Sequence, residues 1–181
     1  MMRPMREAAF KLHPFSVAPH DAGISIAGSV RRDGDRLCLE YRLQGPLERL
    51  SIPSPAPKAQ RRHELWKETC FEGFIQPAGM PTYWELNLSP AGHWALYRFD
   101  GFRQGMREAP LSRQVSVKVR QVEGLLVLST ELDLEAIGSG DFKIGVSAVI
   151  RDKDGRFGYW ALAHPVAKPD FHHPQSFLLQ L

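Results

Sequence analysis

Three groups of residues in this chain have side chains and spacings that could do chemistry. The first is Tyr83-Trp84-Glu85-Leu86-Asn87-Leu88-Ser89, followed by Trp94-Ala95-Leu96-Tyr97-Arg98-Phe99. At the two-residue period of a strand, Tyr83, Glu85, Asn87 and Ser89 share one face, and Trp84, Leu86 and Leu88 the other. In the second segment Trp94, Leu96 and Arg98 share a face opposite Ala95, Tyr97 and Phe99. A phenol, a carboxylate and an amide on one face, beside a neighbouring Trp94 or Arg98, can hold a polar ligand that has an apolar underside. Sugars are such ligands: their C–H faces stack on rings while their hydroxyls need donors and acceptors. The competing reading of the same residues is a polar outer sheet face whose aromatics serve the core.

The second group is Trp66-Lys67-Glu68-Thr69-Cys70-Phe71-Glu72, leading into a strand. Trp66, at the loop–strand junction, is either a stacking platform or a plug closing the end of the fold. Glu72 shares a face with Cys70 and Phe74, which makes it a buried carboxylate in need of a partner, with Arg98 and Arg103 the natural ones. The third group lies near the C-terminus, where Asp170, His172 and His173 offer metal-ligand atoms. A structural zinc site needs about four ligands at fixed spacing, and Cys38 and Cys70 are far away in sequence. Asp152-Lys153-Asp154-Gly155 opens like a calcium loop, but the position of the terminal Glu is occupied by Ala163. No metal site is expected.

Enzyme signatures are missing: there is no G-x-G-x-x-G, P-loop, G-x-S-x-G or H-E-x-x-H. Glu72 and Glu85 form the one carboxylate pair that invites a glycosidase reading, and no motif fixes their separation. The sequence therefore favours a non-catalytic binding domain over an enzyme.

The elements that must position these groups are strands. Leu37, Leu39, Tyr41 and Leu43 alternate with Arg36, Cys38, Glu40 and Arg42; Val115, Val117 and Val119 alternate with Ser116, Lys118 and Arg120. Ile144, Val146, Ala148 and Ile150 alternate with Gly145, Ser147, Val149 and Arg151. Each pattern predicts an antiparallel strand with one wall on a core and the other facing water or a ligand. Asp33-Gly34, Glu123-Gly124 and Asp154-Gly155 sit between such segments and predict hairpins over 24–43, 115–132 and 144–162. Further strands are expected at 10–13, 47–52, 69–76, 83–88, 94–99 and 176–181, with short helical turns at 58–65 and 134–137. About eleven strands exceed one flat sheet, so the expected fold is all-β: a two-sheet antiparallel sandwich forming a single domain over residues 1–181. Pro53, Pro55 and Pro57 make a stiff loop rather than a linker.

Composition agrees. Of 181 residues 43% are hydrophobic and 24% charged, which excludes wholesale disorder. The net charge of +3 comes without a basic stripe; Arg31-Arg32 and Arg61-Arg62-His63 are short clusters that read as solvated loop ends, so no nucleic acid is expected as a partner. No segment approaches the roughly 18 apolar residues of a membrane span, and no secretory signal follows Met1-Met2-Arg3-Pro4-Met5-Arg6-Glu7, so the expected compartment is the cytoplasm. Cys38 and Cys70 are expected as free thiols there.

The blocks Leu65–Ile75, Tyr83–Pro90 and Trp94–Tyr97, with Trp160-Ala161-Leu162-Ala163-His164, Pro169-Asp170-Phe171-His172 and Phe177, resemble the small bacterial DOMON-like proteins over nearly the whole chain. The resemblance implies a sandwich similar to family 9 carbohydrate-binding modules, with a site on one face or edge for a sugar held between aromatic rings, or for haem. By position it implies Trp66 and Trp160 as the aromatic pair and Glu72, Asn87 and Arg98 as polar partners. For haem b the axial ligands would come from Met80 or Met106 with His172 or His173. The expected function is non-catalytic binding of a saccharide or sugar-containing metabolite through Trp66, Glu72, Tyr83, Glu85, Asn87, Trp94, Arg98, Trp160 and His172. A haem protein is the first alternative, and an enzyme acting on a sugar or nucleotide-sugar the second.

Overall fold

The computed structural model describes residues 5–111 and 113–181. The tail at 1–4, where Met1-Met2 leaves the start ambiguous, lies outside the described residues. In chain order the strands are β1 (Arg6–Lys11), β2 (His13–Pro14), β3 (Ser25–Asp33), β4 (Arg36–Gln44), β5 (Cys70–Pro77), β6 (Tyr83–Leu88) and β7 (Trp94–Phe99). They continue with β8 (Arg107–Glu108), β9 (Ser116–Val122), β10 (Leu125–Asp133), β11 (Phe142–Arg151), β12 (Phe157–Ala161) and β13 (Leu179–Gln180). Five form one antiparallel sheet, in the order β1-β3-β4-β10-β9. The others form an eight-stranded sheet, β2-β12-β11-β5-β6-β7-β8, with β13 pairing β11 beyond the end of β12. Helical structure among the described residues is confined to three-residue 3₁₀ turns.

The hairpins form where Gly supplies a left-handed residue: φ is +58° at Gly34, +68° at Gly124 and +83° at Gly155. Between the sheets lies an apolar core. Leu37, Leu39, Tyr41 and Leu43 from β4 meet Phe71, Ile75, Leu86 and Leu96 from the larger sheet, all of them buried. Tyr41 packs on Phe71 with ring centroids 5.2 Å apart, and its hydroxyl donates to the main-chain carbonyl of Glu72, tying one sheet to the other. Each large side chain buried this way contributes about 1.5–3 kcal/mol.

Several local expectations are corrected. Residues 47–52 are not a strand: Gly45 and Pro46 end β4, and a 3₁₀ turn follows at Leu47–Arg49 with Leu50 N donating to Leu47 O at 3.0 Å. The helical turn expected at 58–65 forms instead at Leu65–Lys67. The expected strand at 10–13 is split, β1 joining the small sheet and β2 the large one. At the C-terminus a turn at Pro174–Ser176 precedes a strand shorter than expected, β13 covering Leu179–Gln180 of the expected 176–181. Arg32 is not solvated; it is buried in β3, with Nη1 donating to the carbonyl of Gly140 and its guanidinium 4.7 Å from the Phe142 ring centroid.

The larger correction concerns the second face of the eight-stranded sheet. β5, β6 and β11 are buried on both faces along most of their length. On the outer face Leu65, Phe74, Tyr83, Tyr97, Phe99 and Phe177 build a second, smaller apolar cluster, with Trp66 and Phe171 packed against it. The C-terminal segment supplies its cover. Phe177 stacks on Phe74 at 5.5 Å, directly over Gly145, where a Cβ would come within 2.5 Å of the Phe177 ring. Among the described residues no helix is long and apolar enough to cross a membrane.

Candidate functional site

Glu72, Asn87 and Glu85 come together because of strand register. Glu72 in β5 stands opposite Asn87 in β6, and Phe74 stands opposite Glu85, so the three polar groups form one diagonal patch on the outer face. All are nearly inaccessible, at 3%, 0% and 4% exposure. Ser147, opposite Glu72 on the other side in β11, donates its hydroxyl to Glu72 Oε2 at 3.0 Å. Asn87 Nδ2 donates to Glu85 Oε1 at 2.9 Å, while Asn87 Oδ1 is buried without a partner among the described residues.

Above this floor is a cavity of about 420 Å³. Its apolar wall includes Trp66, Phe99, Tyr159 and Phe171, and its polar lining is Glu72, Glu85, Arg103 and His172. Trp66 is half-buried and meets Tyr97 edge-on at 5.9 Å. Tyr159 and Phe171 lie 6.2 Å apart and are also half-buried, so ring surface is left facing the cavity.

The C-terminal segment is held over the cavity by a polar latch. Asp170 Oδ1 accepts from Arg103 Nη2 at 2.8 Å, Arg103 Nε at 3.3 Å and the main-chain N–H of His172 at 3.2 Å. Arg103 itself sits in the left-handed region at φ +53°, and its main-chain N–H donates to Tyr83 Oη at 3.2 Å. Tyr83 Oη lies 2.8 Å from His172 Nδ1. On its other side His172 Nε2 faces Glu85 Oε2 at 3.6 Å.

Electrostatics follow from burial. Desolvation raises both carboxylates far above their ordinary range, Glu72 to about 8 and Glu85 to about 7; the Glu85 charge adds to the rise at Glu72. Desolvation, then the nearby Arg103 charge, pushes His172 down to about 4, and burial raises Tyr83 to about 12. Near neutral pH the floor therefore retains protons on its acids, Glu72 more than Glu85, beside an uncharged imidazole.

Of the residues expected from sequence, Trp66, Glu72, Glu85 and His172 line the cavity, and Tyr83 and Asn87 brace it from below. Three others are elsewhere. Trp94 and Arg98 project from the opposite face of β7 into the inter-sheet side: Trp94 is buried under the Arg61 guanidinium at 4.6 Å, and Arg98 lies 5.5 Å from the Trp84 ring centroid. Trp160 is a buried member of the inter-sheet core, 4% exposed. Met80 is exposed in the β5–β6 turn, and His173 packs on Phe102 away from the lining; of the candidate axial ligands, Met106 and His172 reach the cavity. Among the described residues no group of three or more His, Cys, Asp or Glu is placed to hold a metal ion. The sequence reading did not select Tyr159, Phe171 or Ser147. Ser147 carried a usable signal, being the one hydroxyl among the outward positions of β11.

No family model matches this sequence, and no curated protein matches it. Solved structures do. A candidate carbohydrate-binding protein from Bacteroides uniformis superposes with a TM-score of 0.65 at 14% identity, covering 92% of this chain and 84% of that one. A family 9 carbohydrate-binding module from Caldicellulosiruptor kristjanssonii, solved in complex with glucose, superposes with a TM-score of 0.47 at 8% identity over 80% of this chain and 69% of that one. At such identities the likeness to the Bacteroides protein is one of fold.

Proposed function

We propose that this chain is a DOMON-like, non-catalytic binding domain that takes a saccharide or sugar-containing metabolite in the outer-face cavity. The observation that carries the reading is the pairing of half-buried rings, Trp66, Tyr159 and Phe171, with buried hydrogen-bonding groups, Glu72 and Glu85, around one cavity. Its volume of about 420 Å³ lies within the range of roughly 300–1,000 Å³ usual for small-molecule sites. Rings supply stacking surface, and protonated or ionised carboxyls supply the donors and acceptors that hydroxyls need. The fold-mate from Bacteroides uniformis, itself a candidate carbohydrate-binding protein, supports the same choice.

The donor set does not fit haem. The cavity floor carries two buried carboxyls, Glu72 and Glu85, where a porphyrin face needs apolar surface, and His172 Nε2 is turned toward one of them, 3.6 Å from Glu85 Oε2. The enzyme alternative has one specific observation in its favour, the raised proton affinity of Glu72 and Glu85 within a cavity. It predicts turnover of a glycoside that is lost in Glu72→Gln.

The test is a glycan array followed by calorimetry with Trp66→Ala alongside the parent chain. Binding weakened by roughly tenfold or more in the variant is expected, the usual scale for loss of a stacking ring. Silence across mono- and oligosaccharides at millimolar concentration contradicts the reading.

A further inference from the structure

Resting on that reading, we propose that the ligand of this cavity is an aryl glycoside: a sugar seated on the polar floor whose aromatic substituent lies against Met106 at the mouth. The cavity changes character along its depth. Glu72 and Glu85 at the bottom are buried, Trp66, Tyr159 and Phe171 are half-buried, and Met106 is 48% exposed. β8 pairs Tyr97 with Glu108 and Arg98 with Arg107, so the neighbouring Met106 falls on the Phe99 side, and both line the cavity. β8 is also an edge of the large sheet, which leaves Met106 open to solvent. Phe102, on the same hairpin, adds a second large apolar side chain that is 46% exposed.

A single exposed apolar side chain is ordinary on a protein surface. These two differ in being carried by a braced hairpin. Arg107 donates to both Asp100 carboxylate oxygens, at 2.7 and 2.8 Å, and to the Gly105 carbonyl at 2.8 Å. Gly105, at φ +65°, packs so close to Asp100 that a Cβ would collide with its carboxylate. Arg103, between Phe102 and Met106, takes the left-handed conformation at φ +53°, backbone strain of the kind that clusters at ligand sites. The hairpin is thereby fixed with Phe102 and Met106 in water.

The chemistry around the mouth selects an aromatic group over a second sugar. The charged side chains there are already paired: Asp100 with Arg107, Asp170 with Arg103, and Glu108 with Arg61 and His63. A second sugar ring would exchange water for partners that are taken, and unpaired hydroxyls are costly to desolvate. An aromatic ring has no hydroxyls to satisfy. It gains a thioether contact from Met106 and removes exposed apolar surface from water. The cavity is thus polar where a sugar needs hydrogen bonds and apolar where its substituent would emerge.

The experiment is calorimetry on the full chain with matched phenyl and methyl glycosides of glucose, galactose, mannose and xylose, and with phenol alone. Expected is that, for whichever sugar binds, the phenyl glycoside binds roughly tenfold tighter than the methyl one, with a more negative heat-capacity change. Met106→Ala, and Met106→Gln, which keeps the length but ends in an amide, should each cut that ratio to about twofold. Thermal melts report whether each variant folds, and the comparison on the parent chain needs no variant. Phenyl and methyl glycosides of equal affinity, or a ratio that survives in both folded variants, overturn the aryl proposal and leave the saccharide reading standing. No binding by any glycoside, or phenol binding as tightly as its glycosides, overturns both.

Discussion

Trp66 and Trp160 stand on opposite sides of the eight-stranded sheet: Trp66 packs against the outer cluster and lines the cavity, whereas Trp160 is sealed in the inter-sheet core. The two indoles should therefore fail differently when removed. Trp160→Ala leaves a core void and is expected to lower stability by about 3–5 kcal/mol, with any loss of ligand tracking loss of fold. Trp66→Ala is expected to leave the melting temperature within a few degrees of the parent while weakening saccharide binding. Denaturant melts and calorimetry on both variants check this.

The buried acids predict an unusual pH response. Glu72 and Glu85 bind protons more tightly folded than unfolded, so the folded state holds more protons than the unfolded state between about pH 4.5 and 8, and stability falls as pH rises through that window. His172, held near 4 in the fold, has the opposite sign: its contribution is lost as pH falls from about 6.5 toward 4. Above about pH 7 the His172 contribution is largely complete and the two glutamates set most of the slope. Between about pH 6.5 and 8.5 the parent should lose on the order of 2 kcal/mol, roughly 5 °C in melting temperature, and Glu72→Gln should flatten most of that slope. A parent whose melting temperature is level or rising over this interval contradicts the burial of a proton-holding pair.

The Arg103–Asp170 contact fixes the lid of the cavity. Asp170 is buried while Arg103 is half-exposed, so the pair is worth about 1 kcal/mol rather than the value of a fully buried one. Asp170→Asn should leave the sandwich folded, speed amide hydrogen exchange across residues 170–173, and weaken ligand binding in step. Unchanged exchange there would show that Phe171 and Phe177 alone hold the segment down.

Added haem should give no Soret band characteristic of axial ligation, because the buried carboxyls of Glu72 and Glu85 form the floor beside His172 where a porphyrin would lie. A band that forms with the parent chain and disappears in His172→Ala contradicts this.

The strands were legible because period two is a local property. Tyr83–Leu88 and Trp94–Phe99 are found where alternation places them, and Tyr83, Glu85 and Asn87 do share a face. What alternation cannot give is parity between strands. The turn after Leu88 pairs Trp84 with Arg98 and Glu85 with Tyr97, so Arg98 and Trp94 join the Trp84 face and leave Glu85. The same limit misplaced Trp160: it pairs with Ala148 on the inner face of β11, and its neighbour Tyr159 is the ring that reaches the cavity. The lid was illegible for a different reason. Residues 162–178 have no periodicity, and what makes them a cover is contact with residues far away in sequence, such as Asp170 with Arg103 and Phe177 with Phe74.

The chain has four tryptophans, so a nitrogen–proton correlation spectrum carries four indole signals that report on both faces of the large sheet at once. Titrating a bound saccharide should shift the Trp66 indole signal progressively while that of Trp160 stays in place. If the Trp160 signal moves and Trp66 does not, or none moves at millimolar sugar, the outer-face cavity is not where a saccharide binds.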